Sequence, residues 1–284
     1  MITYCIFIEF RYAIKLMTTK YLKDALDVAQ TSVVTIGDEL IKYFGNVSSE
    51  LKNNNNDIFT NIVTKLDRKT ENFLMKEFQK FDSTIGFYGE EFGKRSESQR
   101  MWTVDPIDGT SYFVRGLPFC TTMIALVDNH QVVMSVIYDF VRRDLYSAIK
   151  RQGAFLNGKR IKVSQRSLHE AFLAVETQLN GEEDLAFYLS IKKSATVLQG
   201  IASGFDFPMI ATGKLDGRIA KNPYFNDWDV APGSLLVVEA GGLATNIGKT
   251  TYDYRNHDYI ITNPVIHREL TEGYDAVFPI KKAK

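Results

Sequence analysis

The stretch WTVDPIDGTSYF, from Trp102 to Phe113, sets Asp105 and Asp108 three residues apart around a proline and closes on Gly109 and Thr110. Asp, Pro and Gly are ordinary turn residues, each for its own steric reason, so this stretch taken alone reads as a surface turn. Acids elsewhere in the chain change that. Glu90 and Glu91 follow the apolar GFYG, Asp229 stands in NDWDVAPG and Asp67 in TKLDRKT, each at an expected strand or helix end. Carboxylates gathered without cations repel and push one another's pKa upward. Such a cluster calls for a metal. An all-oxygen donor set suits Mg²⁺, which takes one or two carboxylates per ion and completes its shell with water and substrate phosphate. Two ions about 4 Å apart would share a bridging carboxylate and hold both the attacking and the leaving oxygen of an in-line phosphoryl displacement.

Within DPIDGT each residue then has a task. Asp105 ends a strand and bridges two ions, while Pro106 fixes the backbone so that the Ile107 carbonyl points inward as a further ligand. Asp108 returns to the same side. Gly109 allows close backbone approach, and the Gly109 and Thr110 amides, opening a short helix, cradle a phosphate. The Thr110 hydroxyl orients or deprotonates a water, with Asp67 as its partner. Each residue also has a plainer reading. Glu90 and Glu91 in a polar loop are solvated, Asp229 sits where helix N-termini favour acids, with Pro232 in the first turn, and Trp228 is a core aromatic.

The elements that must position these groups are legible from periodicity. Apolar residues at three- and four-residue spacing predict a helix from about Lys20 to Phe44, capped by Thr18 or Thr19 and stopped at Gly45. The Asn-rich NVSSELKNNNNDIF predicts an exposed loop. A second helix follows, with Phe73, Leu74, Phe78 and Phe81 on one side and Asp67 at or just before its start. Short strands are expected at STIGFYG and RMWTVD, then a meander through TTMIALVD, QVVMSVIYD and DLYSAI. The second half alternates strand and helix: AFLAVET, a helix near Glu183–Lys192, ATVLQ, a helix through Phe205–Ala211, LDGRIA, a helix from about Val230 to Ala240, DYIITN and a closing helix. Layered sheets and helices follow, mixed or antiparallel first and α/β second.

The 284 residues carry 34 basic and 34 acidic side chains, a balance that argues against a nucleic-acid partner. Cys5 and Cys120 are too few for a disulfide framework and point to a reducing cytosol. Glu9, Arg11 and Lys15 interrupt the apolar start, so residues 1–16 predict neither a signal peptide nor a membrane span. Residues 1–17 read as an extension or a mis-assigned start ahead of Met17, and 18–284 as a single domain with an α+β half (about 18–165) and an α/β half (about 166–284).

WTVDPIDGTSYFVRGLPFC, GFYGEE and WDVAPGSLLVVEAGG, supported in order by RQGAFLNGKRIKVS and MIATGKLDGRI, resemble the inositol monophosphatase family of Mg²⁺-dependent, lithium-sensitive phosphatases, over about Tyr21 to Ala276. The resemblance implies the layered α/β/α/β/α sandwich of sugar phosphatases, two or three Mg²⁺ ions, a homodimer, a cytoplasmic location and a small phosphorylated metabolite as substrate. Glu90, Asp105 and the Ile107 carbonyl would hold the first ion, and Asp105, Asp108 and Asp229 the second. Thr110, Asp67 and Glu90 would form the catalytic set, Asp108, Gly109 and Thr110 would meet the phosphate, and Glu91 would play a supporting part. Inositol 1-phosphate is the expected substrate. Fructose 1,6-bisphosphate, histidinol phosphate, adenosine 3′,5′-bisphosphate and NADP are the alternatives.

Two positions depart from the family. Relatives carry a lysine in the loop between the first two helices, where this chain offers Lys52, and inositol-specific relatives place a glutamate where this chain has Asn222. Haloacid-dehalogenase-type phosphatases space their aspartates two apart, not three, which separates them from DPIDGT. A regulatory protein binding RNA or the transcription machinery is the alternative of another class. Arg115, His130 and Tyr224 could reach a substrate and are left without a role.

Overall fold

The computed structural model describes residues 18–47, 50–51, 62–63, 65–95, 98–273 and 276–280. Residues 1–17, with Cys5 and the Met17 start, and Lys52 lie outside the described residues. Helix α1 (Thr19–Leu40) begins where the Tyr21 N–H donates to the Thr18 hydroxyl at 3.1 Å. It ends earlier than the periodicity predicts, passing into a tight turn of 3₁₀ helix at Ile41–Tyr43, with the left-handed Gly45 two residues beyond. Part of the Asn-rich segment expected as loop forms β1 (Glu50–Leu51), whose backbone pairs antiparallel with β2 (Ile62–Val63) beyond that segment. Helix α2 (Lys65–Phe81) then takes in Asp67 as its third residue.

Strands β3 (Gly86–Gly89), β4 (Gly93–Lys94), β5 (Arg100–Asp108), β6 (Thr121–Asp128), β7 (Gln131–Asp139), β8 (Asp144–Ile149), β9 (Gly153–Leu156) and β10 (Lys159–Arg160) form an eight-stranded sheet in the order β10-β9-β8-β7-β6-β5-β3-β4. Every neighbouring pair is antiparallel except β3 and β5. The short helix α3 (Thr110–Arg115) follows β5. A five-stranded mixed sheet runs β12-β11-β13-β15-β14, from β11 (Phe172–Glu176), β12 (Thr196–Gln199), β13 (Gly217–Ala220), β14 (Leu243–Asn246) and β15 (Tyr259–Thr262). Helices α4 (Glu182–Lys192), α5 (Ser203–Ala211), α6 (Asp227–Glu239) and α7 (Pro264–Thr271) complete the described chain.

Two-residue alternation along the strands sorts side chains into layers. On one face of the large sheet, Ala25, Ala29, Val33 and Leu40 of α1 and Leu74 and Phe78 of α2 pack on Trp102, Val104, Ile124, Leu126 and Val136. The other face presents Met123, Ile137 and Tyr146 to Phe207 and Ile210 of α5 and Leu236 and Val237 of α6, which also meet Tyr259 and Ile261 of the small sheet. Beyond that sheet, Leu173, Val175, Ile219 and Ile260 pack on Phe187 and Ile191 of α4 and Ile266 and Leu270 of α7. The layers are therefore α/β/α/β/α, as the resemblance implied. Phe78 stacks on Trp102 with ring centroids 4.2 Å apart. Burying side chains of this size stabilises by about 1.5–3 kcal/mol each, which offsets the cost of holding several acids together between the layers.

Two elements differ from expectation, the first of them at the site. Helix α6 starts at Asp227, three residues before the predicted Val230, which puts Pro232 in the second turn and not the first. Having no N–H, Pro232 donates nothing to the Trp228 carbonyl one turn back, and its own carbonyl accepts from the buried Ser135 hydroxyl at 2.7 Å. Strand β14, whose LATN lacks a strong β pattern, forms only because β15 offers an antiparallel partner.

Candidate active site

On a regular strand, residues three apart face opposite sides, yet Asp105 and Asp108 both face one cavity. The register explains it. Asp105 lies opposite Met123 and Asp108 opposite Thr121, so three steps along β5 match two along β6. One extra residue is inserted there, a β-bulge, and it returns the second aspartate to the first one's side. Pro106 has no N–H to lose at such an interruption, and its carbonyl accepts from the buried Thr122 hydroxyl at 2.9 Å. The Ile107 side chain turns into the core below α1 and α2, while its carbonyl lies 2.9 Å from the Thr110 hydroxyl.

Three other elements deliver the remaining acids. Glu90 follows β3, whose parallel pairing sets Gly89 beside Val104, and the Glu90 N–H donates to the Val104 carbonyl at 3.2 Å, next to Asp105. Asp229 arrives on the first turn of α6. Its Oδ2 accepts from the Asn226 N–H at 2.6 Å in a reciprocal capping box, so the expected capping role is real. A carboxylate has a second oxygen, and Asp229 also joins the cluster: one oxygen each of Asp105, Asp108 and Asp229 lie within 4.8 Å of one another. Asp67, fully buried on α2, is linked to the site by the Thr110 hydroxyl at 3.1 Å. Gly109, at φ 79°, adopts the left-handed turn into α3, and a Cβ there would strike the Phe119 carbonyl.

Asp105 is 2 % exposed, and among the described residues its Oδ1 has no hydrogen-bond partner. Burial, then the charges of Glu90, Asp108 and Asp229, hold its carboxyl well above the usual carboxylate range. Asp108 is pushed up to about 7 by burial, against the Gly204 N–H at 2.7 Å and the Arg218 charge. Asp229 rises to about 8, by burial and then by Glu90 and Asp108. A bare group of buried carboxylates is an unfavourable arrangement unless they are protonated or share cations. Hard oxygen donors with an orphaned buried oxygen among them fit Mg²⁺.

These groups line one cavity of about 620 Å³, with Glu90, Asp105, Ile107, Asp108, Gly109, Thr110 and Asp229 all on its wall. Glu91 turns from it. Its N–H and that of Phe92 donate to Glu71 at 2.7 and 3.0 Å, and its carboxylate lies 3.9 Å from Arg68. Trp228, expected in the core, also lines the cavity, packed edge-on against Tyr88. Tyr224 is on the wall. Arg115 instead reaches the Ser111 carbonyl, His130 meets Arg255, and Asn222 donates to Asp184.

Sequence reasoning missed several participants. Glu71 stands one helical turn after Asp67 and ties down the turn that carries Glu90, an i, i+4 relation that a helix reading could have supplied. Gly204 is required by space, since a Cβ there would overlap the Thr121 hydroxyl and come within 2.9 Å of Asp108 Oδ2. Glu176 and Arg218 also line the cavity. Arg218, a charge inside the otherwise apolar GRIA strand, was the available signal.

The profile described as the inositol monophosphatase family matches residues 22–279. The chain belongs to the inositol monophosphatase family. It is 28% identical over 255 residues to the fructose-1,6-bisphosphatase/inositol-1-monophosphatase of Thermotoga maritima, spanning 89% of this chain and 97% of that one. It is 32% identical over 232 residues to the inositol-1-monophosphatase of Rhizobium meliloti, spanning 78% and 85%. The solved structure of a Thermotoga maritima IMPase superposes with a TM-score of 0.77 at 28% identity, covering 87% of this chain and 94% of that one. This inositol monophosphatase family member is thus a phosphomonoesterase by family and by fold. Among the described residues no helix is long and apolar enough to cross a membrane.

Proposed function

We propose that the protein is a Mg²⁺-dependent phosphatase of a small phosphomonoester, with inositol 1-phosphate as its substrate. The observation that carries this is the acid cluster on the cavity wall, where Asp105, Asp108 and Asp229 converge within 4.8 Å beside Glu90. The names of the Rhizobium meliloti and Thermotoga maritima relatives support the substrate, and the second of them brings in fructose 1,6-bisphosphate as the rival.

Glu90, Asp105 and the Ile107 carbonyl would hold one ion, and Asp105, Asp108 and Asp229 another. Bound there, Mg²⁺ would supply charge to the phosphoryl oxygens, acidify a water and steady the departing alkoxide. The remaining work falls to side chains and amides of the chain. Thr110 orients the attacking water through its hydroxyl, which is within 3.1 Å of Asp67, and Asp67 accepts the proton that the hydroxyl relays. The Gly109 and Thr110 amides at the start of α3 receive phosphate oxygens, and the apolar layers on both sides keep bulk water from the reacting atoms. The test is phosphate release from inositol 1-phosphate, fructose 1,6-bisphosphate, histidinol phosphate, adenosine 3′,5′-bisphosphate and NADP, with Mg²⁺ and then with excess chelator. Mg²⁺-dependent release, suppressed by Li⁺ and fastest with inositol 1-phosphate, is expected. Equal release in chelator would contradict the proposal.

A further inference from the structure

The cavity that holds the acid cluster carries a second charged group on its wall. Arg218 on β13 is 2 % exposed and lies between the rings of Phe207 and Phe225, 5.5 and 5.2 Å from their centroids. It donates to Asp206 at 2.9 Å and to Glu176 at 3.4 Å. Two of its N–H groups are thus engaged by carboxylates, while among the described residues its buried Nε has no hydrogen-bond partner. The two carboxylates share one guanidinium, and the more accessible of them is Glu176, whose side chain is 20% exposed against 2% for Asp206.

Glu176 is held in place from several directions. It is the last residue of β11, and ligands of parallel strands bind beyond such carboxyl ends. Arg218 fixes its Oε2 from one side, and a Cβ on Gly200 would overlap that same oxygen, so the glycine leaves room for it. The network is also tied to the acid cluster. Asp206 stands two residues along α5 from Gly204, whose N–H donates to Asp108.

We propose that Glu176 selects the alcohol half of the ester, accepting hydrogen bonds from the hydroxyls of a polyol monophosphate and turning away esters with a second phosphate at that end. This rests on the phosphatase assignment made above. With the reacting phosphate at the acid cluster, the rest of the substrate would lie in the same cavity, whose wall also carries Gln199, Glu176, Tyr224 and Phe225. A fixed carboxylate is an acceptor only, so it pairs with hydroxyl donors and repels phosphate oxygens. A site built to bind a hydroxyl rejects analogues that lack it, because its own polar group is then left buried and unpaired.

The test compares kcat/KM for inositol 1-phosphate, for cyclohexyl phosphate (the same ring without free hydroxyls) and for fructose 1,6-bisphosphate, in the wild type, Glu176→Ala, Glu176→Gln and Gly200→Ala. Arg218 keeps Asp206 in every variant, and circular dichroism checks that each is folded. In Glu176→Ala the preference for inositol 1-phosphate over cyclohexyl phosphate should fall about tenfold or more, through KM, as expected for losing a hydrogen bond to a charged group. The ratio of bisphosphate to inositol 1-phosphate turnover should rise. Glu176→Gln should fall between, and Gly200→Ala, which displaces the carboxylate without removing it, should shift the preference in the same direction. Unchanged ratios in folded, Mg²⁺-dependent variants would overturn the role of Glu176 alone. A wild type that releases no phosphate from any ester with Mg²⁺ would instead remove the phosphatase assignment.

Discussion

Thr110 has two acceptors within reach of one hydroxyl hydrogen, the Asp67 carboxylate at 3.1 Å and the Ile107 carbonyl at 2.9 Å. Replacing it by valine keeps the shape and removes the relay, so steady-state kinetics of Thr110→Val should show kcat lowered by roughly 10²–10⁴, the range for a general acid–base group, with KM little changed. A serine in its place should restore most of the rate. A valine variant at wild-type kcat would show that the water needs no help from this hydroxyl. At this scale most of the site was legible. Asp105, Asp108, Glu90 and Asp229 stand at element ends in the sequence, and ends of elements converge in layered folds. The joining of Glu176, Asp206 and Arg218 was not legible: a charge inside the apolar GRIA strand marks Arg218 as unusual, but only pairing of β11 with β13 brings it near Glu176.

The β-bulge, the first turn of α5 and the start of α6 are what convert acids in sequence into a cluster in space. None of these was predicted from periodicity. A bulge is a mismatch of register between two strands, and a single strand's pattern does not contain it. Periodicity starts helix α6 three residues late because Asp227, Trp228 and Asp229 offer no apolar stripe, while the Asn226 and Asp229 capping box that starts it is a local signal in the sequence. The first turn of α5 carries a prediction of its own. In Gly204→Ala the new methyl would crowd the Thr121 hydroxyl and Asp108, so denaturant unfolding should show a loss of about 1–3 kcal/mol, the usual cost of overpacking. The Mg²⁺ concentration for half-maximal activity should rise with it. Wild-type stability and wild-type Mg²⁺ demand together would mean that α5 does not hold Asp108 in place.

Across the molecule, the layer order was legible because hydrophobic alternation in the meander strands and helical spacing in α1 and α2 are strong signals. The small ladder of β1 and β2 and the edge strand β14 were not, since their pairing comes from neighbours. The cost of the acid cluster is also a property of the whole fold, and it fixes a pH dependence. Asp108 and Asp229 are raised from an ordinary 3.8 to about 7 and about 8. Between about pH 4 and pH 8 the metal-free native state therefore holds protons that the unfolded chain has released. The stability these groups contribute is full below pH 4 and lost as pH rises through 7 and 8. Mg²⁺ binds the deprotonated carboxylates and only in the folded chain, so it should restore stability most where protons no longer compete. Thermal melting of the chelator-treated wild type and of Asp105→Asn, with and without Mg²⁺, between about pH 6 and pH 8 tests this most directly. For the wild type, Tm without metal should fall as pH rises and the gain on adding Mg²⁺ should grow. In Asp105→Asn, which removes the carboxylate proposed as the shared ligand, the Mg²⁺ gain should vanish in the folded variant. An equal gain in Asp105→Asn, or none in the wild type at either pH, would contradict a metal-holding role for this cluster.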